Sequence, residues 1–227
     1  MNNKSWQQSS ANAWNDRALD WHERSEAMWK TGSRKTIIPF IQSKLKQGST
    51  VLDAGCGDGY GSYLLSQNDY KVIGVDLAEN MIKYAKDTYK NSEMVFLQGD
   101  LSNLPLGNES VDAIMAINSL EWTENPLTVI NEFHRVMKNK GSLFIGLLGP
   151  TAGPRANSFN RLYGEHIICN TMMPWELERL ALENGWNLID HLPVYKEDAK
   201  KIETSKLPKI LKQSLTFMWV FHFEREG

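Results

Sequence analysis

The chain has 227 residues, 41% of them hydrophobic and 23% charged, the balance of an ordinary soluble globular protein. A net charge of −2 gives no electrostatic case for nucleic acid or an anionic membrane surface, and no apolar run approaches bilayer length. Two cysteines make no disulfide framework, and five scattered histidines show no metal-ligand spacing. The start, MNNKSWQQSS, lacks the apolar core of a signal peptide, so the expected setting is cytoplasmic, without membrane insertion and without a metal.

The length fits one α/β domain with an appended lid. Residues 1–32 read as helical and carry Trp6, Trp14, Trp21 and Trp29 at steps of eight, seven and eight. On a helix this spacing keeps the rings broadly to one side. They pack on the domain, close a ligand pocket as a lid, or do both. The remaining chain, 33–227, reads as the main domain. Ser33 to Lys46 is expected as a helix closed by Gly48, and a first strand follows at about 50–54.

Val51 to Gly61, VLDAGCGDGYG, organises the whole. A buried strand ends at Asp53 and turns through Gly55, Gly57, Gly59 and Gly61 into a helix. Glycine serves where φ is positive or where a ligand must pass without meeting a Cβ. Free N–H groups at such a helix start suit an anionic or hydrogen-bond-accepting ligand. Cys56 reads as a small buried residue within the turn. A dinucleotide fingerprint wants G-x-G-x-x-G, and neither Tyr60 nor Ser62 supplies its last glycine.

Lys71 to Asp76 is expected as the second strand. Asp76, seventeen residues after Gly59, stands where a doubly wound fold places an acid for ribose hydroxyls, and it also fits a helix N-cap. Met94 to Gln98 is a third strand, followed by Gly99-Asp100-Leu101. Val111 to Ile117 is a fourth, with Asn118-Ser119-Leu120-Glu121-Trp122 at its carboxyl end, where open α/β sheets bind ligands. Pro126 to Lys138 reads as a helix, Ser142 to Leu148 as a strand, Pro174 to Asn184 as a helix and Trp186 to Tyr195 as a strand. A basic linker with Pro208 precedes the last strand, Ser214 to Glu224. Between them, Gly149 to Met173 is a long irregular stretch holding Arg155, Arg161, Tyr163 and His166. Loops of that length are commonly functional, and this one reads as a substrate-covering insertion or a plain connection. The expected fold is therefore α/β: a doubly wound, Rossmann-like sheet of seven strands, mostly parallel.

The D-x-G-x-G-x-G run, the Asp76 to Ile82 segment and the EFHRVMKNKGSLFIG segment resemble the class I S-adenosylmethionine-dependent methyltransferases, and most closely their small-molecule, quinone-pathway group. The resemblance implies a last strand of reversed direction, inserted between the fifth and sixth. It implies S-adenosyl-L-methionine as cofactor, held by Asp53, Gly55, Cys56, Gly57, Asp76, Leu77, Met81, Asp100, Leu101 and Asn118. Asp100 would accept from the adenine amino group. A small-molecule acceptor is implied, covered by Trp14, Trp21, Trp122 and Tyr163, with Glu121 and His166 as candidate bases. A monomer or homodimer without nucleic acid is expected. A non-catalytic cofactor-binding protein and a nicotinamide-dependent oxidoreductase stand as alternatives.

Overall fold

The computed structural model describes residues 5–90 and 93–226. Residues 1–4 of the expected lid lie outside the described residues. The strands are β1 (Thr50–Ala54), β2 (Lys71–Asp76), β3 (Met94–Gln98), β4 (Val111–Ile117), β5 (Met137–Leu148), β6 (Trp186–Tyr195) and β7 (Thr216–Arg225). They form one sheet in the order β3-β2-β1-β4-β5-β7-β6. The first five pair in parallel, and β7 runs antiparallel to both β5 and β6.

Period-two alternation explains why helices cover both faces. Leu52, Ala54, Ile114, Leu143 and Ile145 pack with α5 (Pro126–Val136) and α6 (Pro174–Leu182). Val51, Ala113, Met115 and Phe144 pack with α2 (Ile37–Gln42), α3 (Tyr60–Ser66) and α4 (Glu79–Thr88). Strand β7 is apolar on both sides because it is interior: Trp219, Phe221 and Phe223 join the first core, and Met218 and Val220 the second. Burying each such side chain stabilises the fold by about 1.5–3 kcal/mol.

Residues Trp6–Lys30 form one unbroken helix, α1, whose Ser5 hydroxyl accepts from the Gln8 N–H at 3.2 Å. It lies across α3 and α4. Asn15 accepts from the backbone N–H of Asn80 at 2.9 Å, which satisfies a donor that the first turn of α4 leaves open. The four tryptophans divide. Eight-residue steps advance about 80° and the seven-residue step returns about 20°, so Trp29 stands about 140° round from Trp6. Trp29 enters the core over Gly61, while the other three face the cleft described below.

Some boundaries differ from expectation. Helix α2 is short because residues 31–36 are spent on turns, and it closes on the Ile41 carbonyl. Strand β5 starts at Met137, where Val111 pairs with it, and carries an irregularity with Lys140 at φ 57°. The basic linker contains a further helix, α7 (Lys209–Ser214), begun by the Pro208 carbonyl accepting from Leu211 and Lys212. The stretch 149–173 is not fully irregular, since Gly153–Tyr163 winds as 3₁₀ turns.

Candidate cofactor cleft

Strands β1 and β4 are neighbours whose connections leave in opposite directions, so their carboxyl ends open a crevice. A cleft of about 280 Å³ occupies it. That is close to the lower end of small-molecule sites, roughly 300–1,000 Å³. Its floor is Gly55, Gly57, Asn118 and Ser119, and one wall is Asp76, Leu77, Met81, Asp100 and Leu101. The roof is one face of α1, with Trp6, Gln7, Ser10, Trp14 and Trp21, and Trp122 closes the side.

Glycine is required at two floor positions. Gly55 (φ 80°) and Gly57 (φ 56°) adopt left-handed backbone. A Cβ on Gly55 would collide with Ser119, and one on Gly57 would sit 3.1 Å from Trp21 Nε1. The loop differs from the sequence reading in one respect. It is not a nest of free N–H groups. Gly55 and Cys56 both donate to the Val75 carbonyl, at 2.8 and 3.0 Å. Gly57 donates to Asp76 Oδ2 at 2.9 Å, and Gly59 donates to the Cys56 carbonyl. The glycines therefore give close approach rather than an anion cradle.

Asp76 holds the loop and faces the cleft at once. Oδ2 accepts from Gly57 and Oδ1 accepts from Ala78 N–H at 2.9 Å, so the turn role and a ligand role coexist. A carboxylate offers about four acceptor sites, which leaves capacity for a diol. Burial pushes its pKa up, and the N–H donors of Ala78 and Gly57 oppose that. Asp100 accepts from Ser102 N–H at 2.8 Å and also lines the cleft. Asn118 sits at φ 54°, unusual for a non-glycine. It is held by its N–H to the Gly146 carbonyl, by Trp122 Nε1 donating to its own carbonyl at 2.9 Å, and by its side-chain amide donating to Glu121 Oε1 at 3.3 Å.

The structure keeps five expected site residues out of the cleft lining. Asp53 lies beneath the loop, 4% exposed, accepting from Ser62 Oγ at 2.6 Å. Cys56 is buried next to Gly74. Glu121 is fully buried and accepts from the Leu148 N–H at 2.7 Å and from the Asn118 amide at 3.3 Å, and burial raises its pKa. His166 is exposed and meets Trp6 edge-on at 5.6 Å. Tyr163 is 75% exposed and packs edge-on against Phe159 at 5.8 Å. The stretch around these two is anchored instead by Arg155, which donates to the Leu148 and Met172 carbonyls, and by Asn170, which donates to those of Leu120 and Thr123.

Two residues that the sequence did not mark have central places. Asp58 accepts from Ser25 Oγ at 2.8 Å and pairs with His22 Nδ1 at 2.9 Å, tying the glycine loop to α1. Arg34, in the turn after α1, lines the cleft with its guanidinium 4.8 Å from the Trp21 ring and 5.4 Å from Trp29. A cation in a polar turn looks like surface, and nothing local distinguishes it.

Burial raises the Asp53 carboxyl to about 7, opposed by the Ser62 hydroxyl and Arg34. The folded protein then binds a proton that the unfolded chain has lost, between about 4 and 7. Stability from this group is present at low pH and is lost as pH rises through that window. Asp53→Asn is expected to raise the ligand-free melting temperature at pH 8 by several degrees more than at pH 5. The limit is about 4 kcal/mol. Equal shifts at both pH values would contradict it.

Residues 52–145 match the family described as "Methyltransferase domain". This part of the chain is similar to a methyltransferase domain. A malonyl-[acyl-carrier protein] O-methyltransferase of Hamiltonella defensa is 34% identical to this chain over 100 residues, covering 44% of this chain and 38% of that protein. The chain thus spans well under half of the curated relatives it matches first. A chain in the complex of the Haloferax volcanii Trm112 methyltransferase activator with a methyltransferase superposes at TM-score 0.72 and 18% identity, covering 94% of this chain and 98% of that one. The [4+2]-cyclase SpnF superposes at TM-score 0.67 and 17% identity, covering 87% and 82%. These two likenesses concern the fold.

Proposed function

We propose that the cleft holds S-adenosylmethionine and that the protein passes its methyl group to a small acceptor. The observation that carries this is the glycine loop, with the N–H groups of Gly55, Cys56, Gly57 and Gly59 already engaged, beside two acids at successive strand ends. A dinucleotide pyrophosphate needs free N–H donors at this turn. A ligand with a diol and an amino-bearing base needs acceptors, which Asp76 and Asp100 supply.

The cofactor supplies an activated methyl group on a sulfonium, so transfer needs mainly alignment. Asp76 would hold the ribose hydroxyls and Asp100 the adenine amino group. Leu77, Met81 and Leu101 would border the base, and Asn118 would lie against the floor. Trp6, Trp14, Trp21 and Trp122 exclude water. Trp14 meets Trp21 and Trp122 edge-on at 5.5 and 5.2 Å. In this reading α1 is the lid and 149–173 borders the cleft mouth, where His166 meets Trp6. With Glu121 turned away, the chemistry suits an acceptor whose nucleophile needs no buried base.

Calorimetric titration with S-adenosylmethionine, S-adenosylhomocysteine and NADH in parallel tests the reading. Saturable binding of the two sulfur compounds alone is the expected result. Binding of NADH alone would overturn it. A radiolabelled-methyl assay against a panel of small acceptors then separates the enzyme from a non-catalytic binder.

A further inference from the structure

Asp58 is a buried carboxylate, 2% exposed, standing in the glycine loop between Gly57 and Gly59. It does not line the cleft, and neither do the two residues that hold it. Ser25 Oγ donates to its Oδ1 at 2.8 Å, and His22 Nδ1 meets its Oδ2 at 2.9 Å. A carboxylate only accepts, so the imidazole is the donor. His22 and Ser25 are one turn apart on α1 and so share a face. The His22 ring also stacks on Tyr84 of α4, with centroids 4.7 Å apart. Burial raises the Asp58 pKa, and the bonds from His22 and Ser25 oppose that, as does the Tyr60 N–H. An acid is costly in so buried a turn unless its acceptors are filled, and here α1 fills them.

The loop needs that grip. Gly57 (φ 56°) and Gly59 (φ 83°) flank Asp58 in left-handed backbone, and glycine has more conformational freedom to lose than any other residue. One residue before Asp58, the Gly57 N–H donates to Asp76 Oδ2 at 2.9 Å. One residue before His22, Trp21 lies over Gly57, with Nε1 3.1 Å from where a Cβ would stand. Seating α1 and aiming Asp76 are therefore parts of one arrangement. We infer that Asp58 and His22 are positioning residues for the cofactor: gripped by the seated helix, Asp58 presets the loop so that Asp76 faces the ribose. Neither touches the ligand. The inference rests on the proposed cofactor reading and adds to it the residues that set the ribose acid in place.

The test is calorimetry with S-adenosylhomocysteine on wild-type protein, His22→Ala, His22→Asn, Asp76→Ala and the double variant His22→Ala with Asp76→Ala. Asn places an amide N–H where the imidazole Nδ1–H stands. His22→Ala is expected to weaken binding about tenfold, and His22→Asn to stay within about threefold of wild type. With Asp76 already replaced, His22→Ala is expected to cost less than about twofold more, because a grip that acts through Asp76 has nothing left to aim. A merely structural loss would weaken both backgrounds alike. Unchanged binding by His22→Ala overturns the inference. So does a loss that Asn does not restore, or one that recurs in full beside Asp76→Ala. If His22→Ala does not fold, Ser25→Ala removes the other bond to Asp58 and carries the same cycle with Asp76→Ala. Failure of the wild-type protein to bind S-adenosylhomocysteine overturns the cofactor reading itself, and with it this inference.

Discussion

Asp76→Ala is expected to weaken S-adenosylmethionine binding about a hundredfold, read by calorimetry. Two losses add. The ribose diol would lose an acceptor whose hydrogen bonds, made to a charged group, are worth about 1.5–3 kcal/mol each. The loop would lose its tie as well, since Asp76 accepts from both Gly57 and Ala78 N–H groups. A net cost near 3 kcal/mol corresponds to about a hundredfold in affinity. Asp76→Asn separates the contributions. Its carbonyl can still accept one backbone N–H, but its amide cannot serve both sides as acceptor, so an intermediate loss is expected. Wild-type affinity in Asp76→Ala would remove the ribose assignment.

The second large effect is on stability. Trp29→Ala is expected to lower the melting temperature by roughly 10 °C in a circular-dichroism melt. Replacing a buried Trp by Ala costs about 3–5 kcal/mol. In a chain of this size each kcal/mol moves the midpoint by about 2–4 °C. Trp29 is 5% exposed and fills the space above Gly61, where a Cβ would come within 2.6 Å of its ring. It also backs the Arg34 guanidinium. The variant therefore loosens α1 and the cleft together. A shift of under about 2 °C would show that the ring's burial contributes little.

The sheet was readable because its central strands leave continuous apolar runs and its edge strands β3 and β6 alternate buried or half-buried with exposed residues. Lys71–Asp76, Met94–Gln98, Val111–Ile117 and Trp186–Tyr195 carry the same bounds in sequence and structure. The reversed strand was expected only from the family resemblance, and it pairs as expected with β5 and β6. Residues at strand ends, Asp76, Asp100 and Asn118, line the cleft because topology alone sends them there. Asp53 and Glu121 do not line the cleft because side-chain direction at a strand end is decided by packing. Ser62 takes Asp53 inward, and the Leu148 N–H takes Glu121. Arg34 and Asp58 escaped because their partners lie elsewhere in the chain: Trp21 and Asn118 for one, His22 and Ser25 for the other. Tyr163, expected among the residues covering an acceptor, sits 75% exposed in the 3₁₀ turns.

The unbroken run of α1 bears on ligand traffic. Five of its residues roof the cleft, Trp6 Nε1 donates to the Trp122 carbonyl at 2.9 Å, and Asp58 grips it further along. A continuous helix cannot open one turn at a time as a flexible loop does. It ends in the turn at 31–36, and that turn carries Arg34. Lifting α1 off the cleft therefore means breaking the Trp6–Trp122 contact and the Asp58 grip together, so entry and exit of a ligand are coupled to the whole helix rather than to one loop.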